Sequence, residues 1–510
     1  MIVMFIKYGT YLYGSVFAFT MFIALLIMNK FELAFCKYDC FRLRLDSINV
    51  GKVSFVGFLV TFLISLIYLF YPNYLDHVES TIAHLGAVLH KGGTLWPNIN
   101  TDYTFRGLLY GPALAEIQLI PIAFKLPVIE GSKLTGVIAF LVSYIAIFIA
   151  LKSQLARGYL IYMLPFGLFL YWDRADPLLV MSVSLSILLG VKKPNNILLA
   201  LVLGVFGAFC AALKLHTILY IIGVYCVIDS RPNLIAVMAF AVSAIASFLA
   251  FFKFDIAELT SFLSYLSLAS KHGLSAQMLL QNFFFVFFMF LPIIIVILKS
   301  KPTHRNFNHI FLLLILELVL AVVGAKPGAG IHHLLPMIPV NALMMSRLDN
   351  QFTIVPIEIK LLYLCIVLPS ILIAINIIKP IMANWERQKA ASTELSDIAI
   401  KYPGVVMGES DNPGYPLTFY RVLLNNINQI DPASYMDLQY SGVGDTNLVQ
   451  AMNTCKIKEF VIPRSGLPFS MYSYYPSGTL FTDRLREIFN LKYKEILSGK
   501  FFNVYSCRWN

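Results

Sequence analysis

Over its first three quarters the chain alternates long apolar runs with short polar breaks, and it loses that rhythm near Trp385. A helix that crosses a bilayer needs about 20 mostly apolar residues, fewer where the bilayer thins locally. On that criterion spans are expected near 9–28, 53–71, 134–151, 158–172, 177–191, 197–213, 215–229, 234–252, 284–299, 309–324, 331–346 and 360–379. About twelve spans define an α-helical polytopic membrane protein. Beyond Trp385 the apolar runs shorten, and Asn, Asp, Ser, Pro and Gly rise. Residues 404–410, 459–463 and 501–509 read as strands, and 416–426 and 483–490 as helices, which predicts a small C-terminal α/β domain. The expected division is an N-terminal membrane hairpin with a basic loop (1–52), a transmembrane core (53–380) with a first outer loop at 72–133, and an outer domain (381–510).

Composition supports the pattern. The 510 residues are 58% hydrophobic and 13% charged, against roughly a quarter charged in soluble domains. An ionised side chain near the bilayer centre costs several kcal/mol, so the deficit is what lipid demands. The net charge of +11 would suggest nucleic acid in a soluble protein. No basic face with interleaved aromatics is present, so no nucleic-acid partner is expected.

Lys and Arg instead fall in short loops, which sets topology. Lys30, Lys37, Arg42, Arg44 and Lys52 mark the first inner loop, and Lys152 with Arg157, Lys192 with Lys193, Arg231, and Lys299 to Arg305 mark later ones. The alternate loops then face outward: Asp76–Lys133, Asp173–Asp176, Lys214–Thr217, Phe254–Gln281, Gly324–Gly330 and the tail from Lys379. This holds only if Tyr110–Leu126 does not span. Its two prolines, Glu116 and Gln118 suit an interfacial or re-entrant segment. The N-terminus lacks a small-residue cleavage site after Tyr8–Met28, so it reads as a span rather than a cleaved signal. Of seven cysteines, Cys210, Cys226 and Cys365 lie in apolar runs as packing residues, and Cys36 with Cys40 are too few for zinc. Cys455 and Cys507 fall in the outer domain, where an oxidising compartment permits a disulfide.

Candidate chemistry clusters on the outer side. Asp76 and Glu79 open the first outer loop, three residues apart and on one face of a helical turn. One carboxylate can act as a general base, and the other can orient a reactant or help hold a divalent cation such as Mg or Mn. The plain alternative is a helix cap. The same loop carries Trp96 and Tyr110 as interfacial aromatics. In Trp172-Asp173-Arg174-Ala175-Asp176-Pro177, Arg174 suits phosphate and Asp176 suits hydroxyls, or the turn pairs its own charges. Lys214 beside His216 can meet a lipid-borne phosphate, or snorkel to headgroups. In Gly324-Ala325-Lys326-Pro327-Gly328-Ala329-Gly330-Ile331-His332-His333, small residues bring backbone and Lys326 close to a ligand. Adjacent histidines such as His332 and His333 diverge on a helix and make a poor metal pair. A tail loop at 408–414 follows a strand and is expected to be an ordinary turn that could touch a substrate.

Taken in order, these stretches resemble the GT-C superfamily of multi-spanning glycosyltransferases. The resemblance lies in the acidic pair after a spanning helix, "AHLGAVLHKGGTLWP" (83–97), "YGPAL" (110–114), "WDRADPLL" (172–179), "GAKPGAGIHHLLPMIP" (324–339) and an outer C-terminal domain. His332-His333 stand where the superfamily more often shows Asn or Asn-His, and the hairpin 1–52 lies outside its shared core. The resemblance implies an inverting transferase that uses a polyprenyl- or undecaprenyl-phosphate sugar. Asp76 would be its base and Glu79 the companion. Arg174, Asp176, Lys214, Lys326 and His333 would hold donor phosphate and sugar, with no certain cofactor. It further implies a cell-surface glycan or glycolipid acceptor, contact with membrane lipids, and a bacterial inner-membrane location with site and C-terminus periplasmic. The rival readings are a lipid-linked sugar flippase or transporter and an O-antigen polymerase or ligase. No internal repeat in the apolar pattern favours a transporter.

Overall fold

The computed structural model describes residue 23 and residues 48–107, 110–192, 196–228, 233–299, 304–348, 355–410, 417–464, 466–473 and 478–508. Apart from residue 23, the expected span 9–28, the basic loop from Lys30 to Arg44, Cys36 and Cys40, Lys193, Arg231 and residues 411–414 lie outside the described residues. Lys301 does too.

Among the described residues seven helices are long and apolar enough to cross a membrane: Val50–Phe70, Val128–Ala150, Asn196–Leu213, Leu234–Phe251, Ala276–Lys299, Asn306–Val323 and Ile357–Lys401. Ala175–Val191 and Leu215–Ile228 are shorter apolar helices. Two expected spans take another form. Residues 158–172 are the end of helix Gln154–Tyr159 followed by a 3-10 helix, Leu160–Leu170, with Pro165 inside and Gly167 at φ 49°. Residues 331–346 become a 3-10 turn, Ile331–Leu334, and a buried helix, Met337–Leu348. Both runs are apolar because they are enclosed by protein on every side, a pattern periodicity cannot distinguish from a lipid-facing span. Tyr110–Leu126 contains two five-residue helices, Ala113–Ile117 and Leu119–Ala123, far too short to cross.

Backbone polar groups released inside the apolar layer find partners. Pro292 interrupts helix Ala276–Lys299 and cannot donate to the carbonyl four residues back. Tyr162 donates its hydroxyl to Phe288 O at 2.9 Å, and Tyr159 donates to Met289 O at 2.7 Å. At the C-terminal end of Val50–Phe70, the buried Lys133 ammonium donates to Tyr68 O, Tyr71 O and Asn73 O at 3.0, 2.6 and 2.7 Å. All three of its protons are therefore engaged in closing that helix just before Asp76.

Helix Ile357–Lys401 runs straight through the expected boundary at residue 380. Its 45 residues span roughly 68 Å at 1.5 Å per residue, more than twice the hydrocarbon thickness. The helix thus carries the C-terminal domain directly. That domain holds a four-stranded sheet in the order β1 (Val406–Met407), β2 (Glu459–Pro463), β6 (Phe502–Cys507), β5 (Tyr493–Ser498). The β1–β2 pair is parallel and the others are antiparallel. A separate hairpin joins β3 (Tyr472–Ser473) to β4 (Gly478–Thr479). The expected helix at 416–426 is a 3-10 helix, Leu417–Leu424. Helices Pro432–Gln439, Thr446–Asn453 and Asp483–Lys492 complete the domain. Cys455 and Cys507 are joined by a disulfide, while Cys210, Cys226 and Cys365 are free.

The C-terminal domain sits on the loop expected to be the first outer one, residues 72–133. Phe105 stacks on Tyr435 at 4.1 Å. Asp431 N donates to Thr104 O at 2.8 Å, and Asn447 donates to Ile99 O and Asp102 O at 3.2 and 3.1 Å.

Candidate functional site

The helix His77–His90 explains how its acidic pair is placed. Asp76 is its N-cap, with extended backbone and a side chain that accepts from Val78 N at 2.8 Å. Glu79, one turn on, reaches back and accepts from Leu75 N at 2.9 Å, a reciprocal cap. Glu79 also accepts from the Tyr68 hydroxyl and, at 3.3 Å, from Asp173 N. The carboxyl therefore ties the residue before Asp76 to the residue before Arg174. Burial, with Asp76 nearby, raises the Glu79 pKa against the pull of the Tyr68 hydroxyl, Lys133 and Leu75 N.

Arg174 reaches beyond its own turn. Its guanidinium lies 3.7 Å from Asp76 Oδ1, donates to the Tyr110 hydroxyl at 2.8 Å and stacks over Trp172 at 4.2 Å. Asp176 instead faces Lys214 across 3.3 Å and accepts from the Trp172 indole N–H at 3.2 Å. The Lys214 ammonium also sits over the Tyr110 ring at 5.1 Å. Gly111 lets this segment lie against helix Asn196–Leu213, since a Cβ there would stand 2.3 Å from Ala212 O. His216 and His333 share a ring-nitrogen contact of 3.1 Å, and Tyr220 donates to His333 O at 2.6 Å.

These side chains meet around one cavity of about 170 Å³. Asp76, Tyr110, Arg174, Lys214, Lys326 and His333, widely separated in sequence, all line it. Asp176 stands behind Lys214 as its counter-ion. Two expected residues lie elsewhere. Glu79 is fully buried behind Asp76, and Trp96 packs in the core against Phe262 and Phe252 at 5.1 and 6.0 Å.

The arrangement does not suit the divalent cation expected between Asp76 and Glu79. Both Glu79 oxygens already accept from protein donors, and the near face of Asp76 is turned to Arg174. Among the described residues no three His, Cys, Asp or Glu side chains converge as metal ligands.

One wall of the cavity, not legible in the sequence, is built by the C-terminal domain. Ala433 and Asp437, on helix Pro432–Gln439, line the cavity with His272 from the loop before Ala276. The His272 ring meets Asp437 O at 2.6 Å and the Asp437 carboxylate at 3.8 Å. The Asp431-Pro432 step is a helix-start signal that could have located this helix. Nothing in the linear order places it over Asp76.

Chemically the cavity is lined by two carboxyl groups, Asp76 and Asp437, and by three cations, Arg174, Lys214 and Lys326. Such a site can hold an anion while leaving a carboxylate within reach of a neutral group bound beside it.

No family model matches the sequence, and no curated protein does. Two solved structures do match, both of ArnT from Cupriavidus metallidurans: one bound to undecaprenyl phosphate and one in the apo state. Each aligns with a TM-score of 0.53 over 88% of this chain and 97% of that one, at 10% and 11% sequence identity respectively. The chain therefore has the fold of ArnT: several apolar helices long enough to cross a membrane, followed by a C-terminal domain built on a small sheet.

Proposed function

We propose that this protein is an inverting membrane glycosyltransferase that takes a hexose or pentose from a polyprenyl-phosphate donor, of the undecaprenyl type, and passes it to a cell-surface glycan or glycolipid. The observation that carries this reading is the convergence of Asp76 with Arg174, Lys214 and Lys326 on one cavity. Its setting is a fold shared with a solved structure of ArnT bound to undecaprenyl phosphate.

In this reading the lipid phosphate lies against the three cations, with its chain in the bilayer. Asp76 accepts the proton of an acceptor hydroxyl. That oxygen forms a bond to the anomeric carbon from the face opposite the phosphate. The anomeric carbon–oxygen bond breaks, and its electron pair leaves on polyprenyl phosphate. Charge grows on the departing oxygen, so the cations stabilise the transition state more than the bound donor. Glu79 is a positioning residue, linking the Asp76 and Arg174 segments through Leu75 N and Asp173 N.

The site faces away from the cytoplasm in this account, and in a bacterial inner membrane the outer domain is periplasmic. The basic inner ends at Lys52, Lys152, Arg157 and Lys192 support that orientation, as does the Cys455–Cys507 disulfide in the outer domain.

The test is transfer by the purified protein from a panel of radiolabelled undecaprenyl-phosphate sugars into a membrane glycolipid extract. Label is expected to move with wild type and to stay on the carrier with Asp76→Asn, at unchanged protein abundance. Undiminished transfer by Asp76→Asn would remove Asp76 from the role. Binding of a lipid-linked sugar without transfer from any donor would favour a flippase.

A further inference from the structure

The three cations that line the cavity cannot satisfy a sugar by themselves. Arg174, Lys214 and Lys326 only donate hydrogen bonds, and a sugar hydroxyl needs acceptors as well. Asp76 supplies one acceptor, which the proposed reaction uses for proton transfer. A second carboxyl comes from the outer domain: Asp437 lines the same cavity.

Asp437 is held firmly. Its helix, Pro432–Gln439, is capped by Asp431, which accepts from Ala433 N at 3.1 Å and from the Ser434 hydroxyl at 2.7 Å. The same Asp431 accepts from Thr81 at 2.9 Å. Thr81 lies on the helix that Asp76 caps. Tyr435 stacks on Phe105 of the first outer loop. The carrier of Asp437 is thus bonded to the carrier of Asp76, which is the placement a recognition residue requires.

Charge decides which part of a ligand it meets. Burial, with Asp431 nearby, pushes the Asp437 carboxyl to about 7 against the pull of Arg174 and Lys326. An acidic group suits a phosphate poorly and suits hydroxyls well, accepting when ionised and also donating when protonated. The phosphate belongs on the three cations, and the neutral remainder of the head group belongs toward Asp437.

We propose that Asp437 binds hydroxyl groups of the sugar in the cavity, making the outer domain a specificity element of the site. The inference rests on the glycosyltransferase reading above. A pocket built to hydrogen-bond a hydroxyl discriminates strongly against a ligand that lacks it.

The test titrates the full-length protein in nanodiscs by native mass spectrometry. The probes are undecaprenyl phosphate alone and a panel of undecaprenyl-phosphate hexoses and pentoses. Wild type is expected to bind at least one sugar carrier more tightly than the bare lipid. Asp437→Ala should lose about tenfold in affinity for that carrier, with bare-lipid affinity held within twofold, which also reports an intact site. Asp437→Asn, which keeps one acceptor, should fall between them and carries the test if the alanine variant does not fold. Equal weakening toward both probes, no weakening, or a wild type that gains nothing from any sugar would overturn the proposal. A wild type that binds neither the bare lipid nor any carrier would instead overturn the donor reading beneath it.

Discussion

Replacing Lys214 with Met removes the cation that faces Asp176 inside the protein. The two groups are 3.3 Å apart, and both side chains are nearly inaccessible. At an effective dielectric of about 20, that separation corresponds to roughly 5 kcal/mol of attraction. Unpairing a buried charge costs about 3–5 kcal/mol, since the survivor cannot recover its water. Asp176 would keep the Trp172 indole at 3.2 Å and the more distant attraction of Arg174. Lys214→Met is therefore expected to lower the thermal unfolding midpoint sharply and to abolish transfer. The informative partner is the double variant Lys214→Met/Asp176→Leu, which removes both charges and keeps the volume. Replacing a buried pair in this way is commonly neutral, or stabilising by about 1–4 kcal/mol. The midpoint should then return while transfer does not, because the cavity still lacks one of its cations. Loss of one such donor is worth about 10²–10³ in rate. Thermal unfolding followed by tryptophan fluorescence and radiolabel transfer read the two effects separately. A single variant as stable as wild type would refute the buried pair. A double variant that recovers both properties would refute the anion-binding role of Lys214.

Gly136 packs so closely on the turn before Arg174 that an added Cβ would stand 2.2 Å from Trp172 O. Gly136→Val should cost about 1–3 kcal/mol and reduce transfer, as measured by unfolding midpoint and radiolabel assay. Glu409 is fully buried beside Arg421 at 3.7 Å, and burial pushes its carboxyl to about 7. The folded chain thus binds that proton more tightly than the unfolded chain. Its stability contribution is full below about pH 4.5 and is lost as pH rises through 7, by up to roughly 3 kcal/mol. Unfolding midpoints at pH 5 and pH 8 should converge in Glu409→Gln relative to wild type. Maleimide labelling of the denatured, unreduced chain should spare Cys455 and Cys507 while modifying Cys210, Cys226 and Cys365, with reduction exposing the spared pair.

Much of the membrane plan was legible because lipid imposes a strong pattern. The runs at 53–71, 197–213 and 234–252 read directly as helices, and the prolines in 110–126 marked a segment too broken to cross. The runs at 158–172 and 331–346 misled because burial against protein and burial against lipid select the same side chains. Residue type was enough to single out Asp76, Arg174, Lys214 and Lys326 as candidates, since charge is rare among apolar runs, and the four line one cavity. Pairing was not legible. The turn 172–177 offered Arg174 two adjacent aspartates, yet its guanidinium turns to Asp76 and Tyr110. Asp176 takes a lysine 38 positions away. Asp437 was invisible for the same reason: its meaning comes from Thr81 and Phe105, more than three hundred residues earlier.

The most direct test of the account is a cryo-electron microscopy map of the full-length protein with undecaprenyl phosphate. The account requires phosphate density in the cavity between Arg174, Lys214 and Lys326, within reach of Asp76. Phosphate density elsewhere, with that cavity holding only solvent, would contradict it.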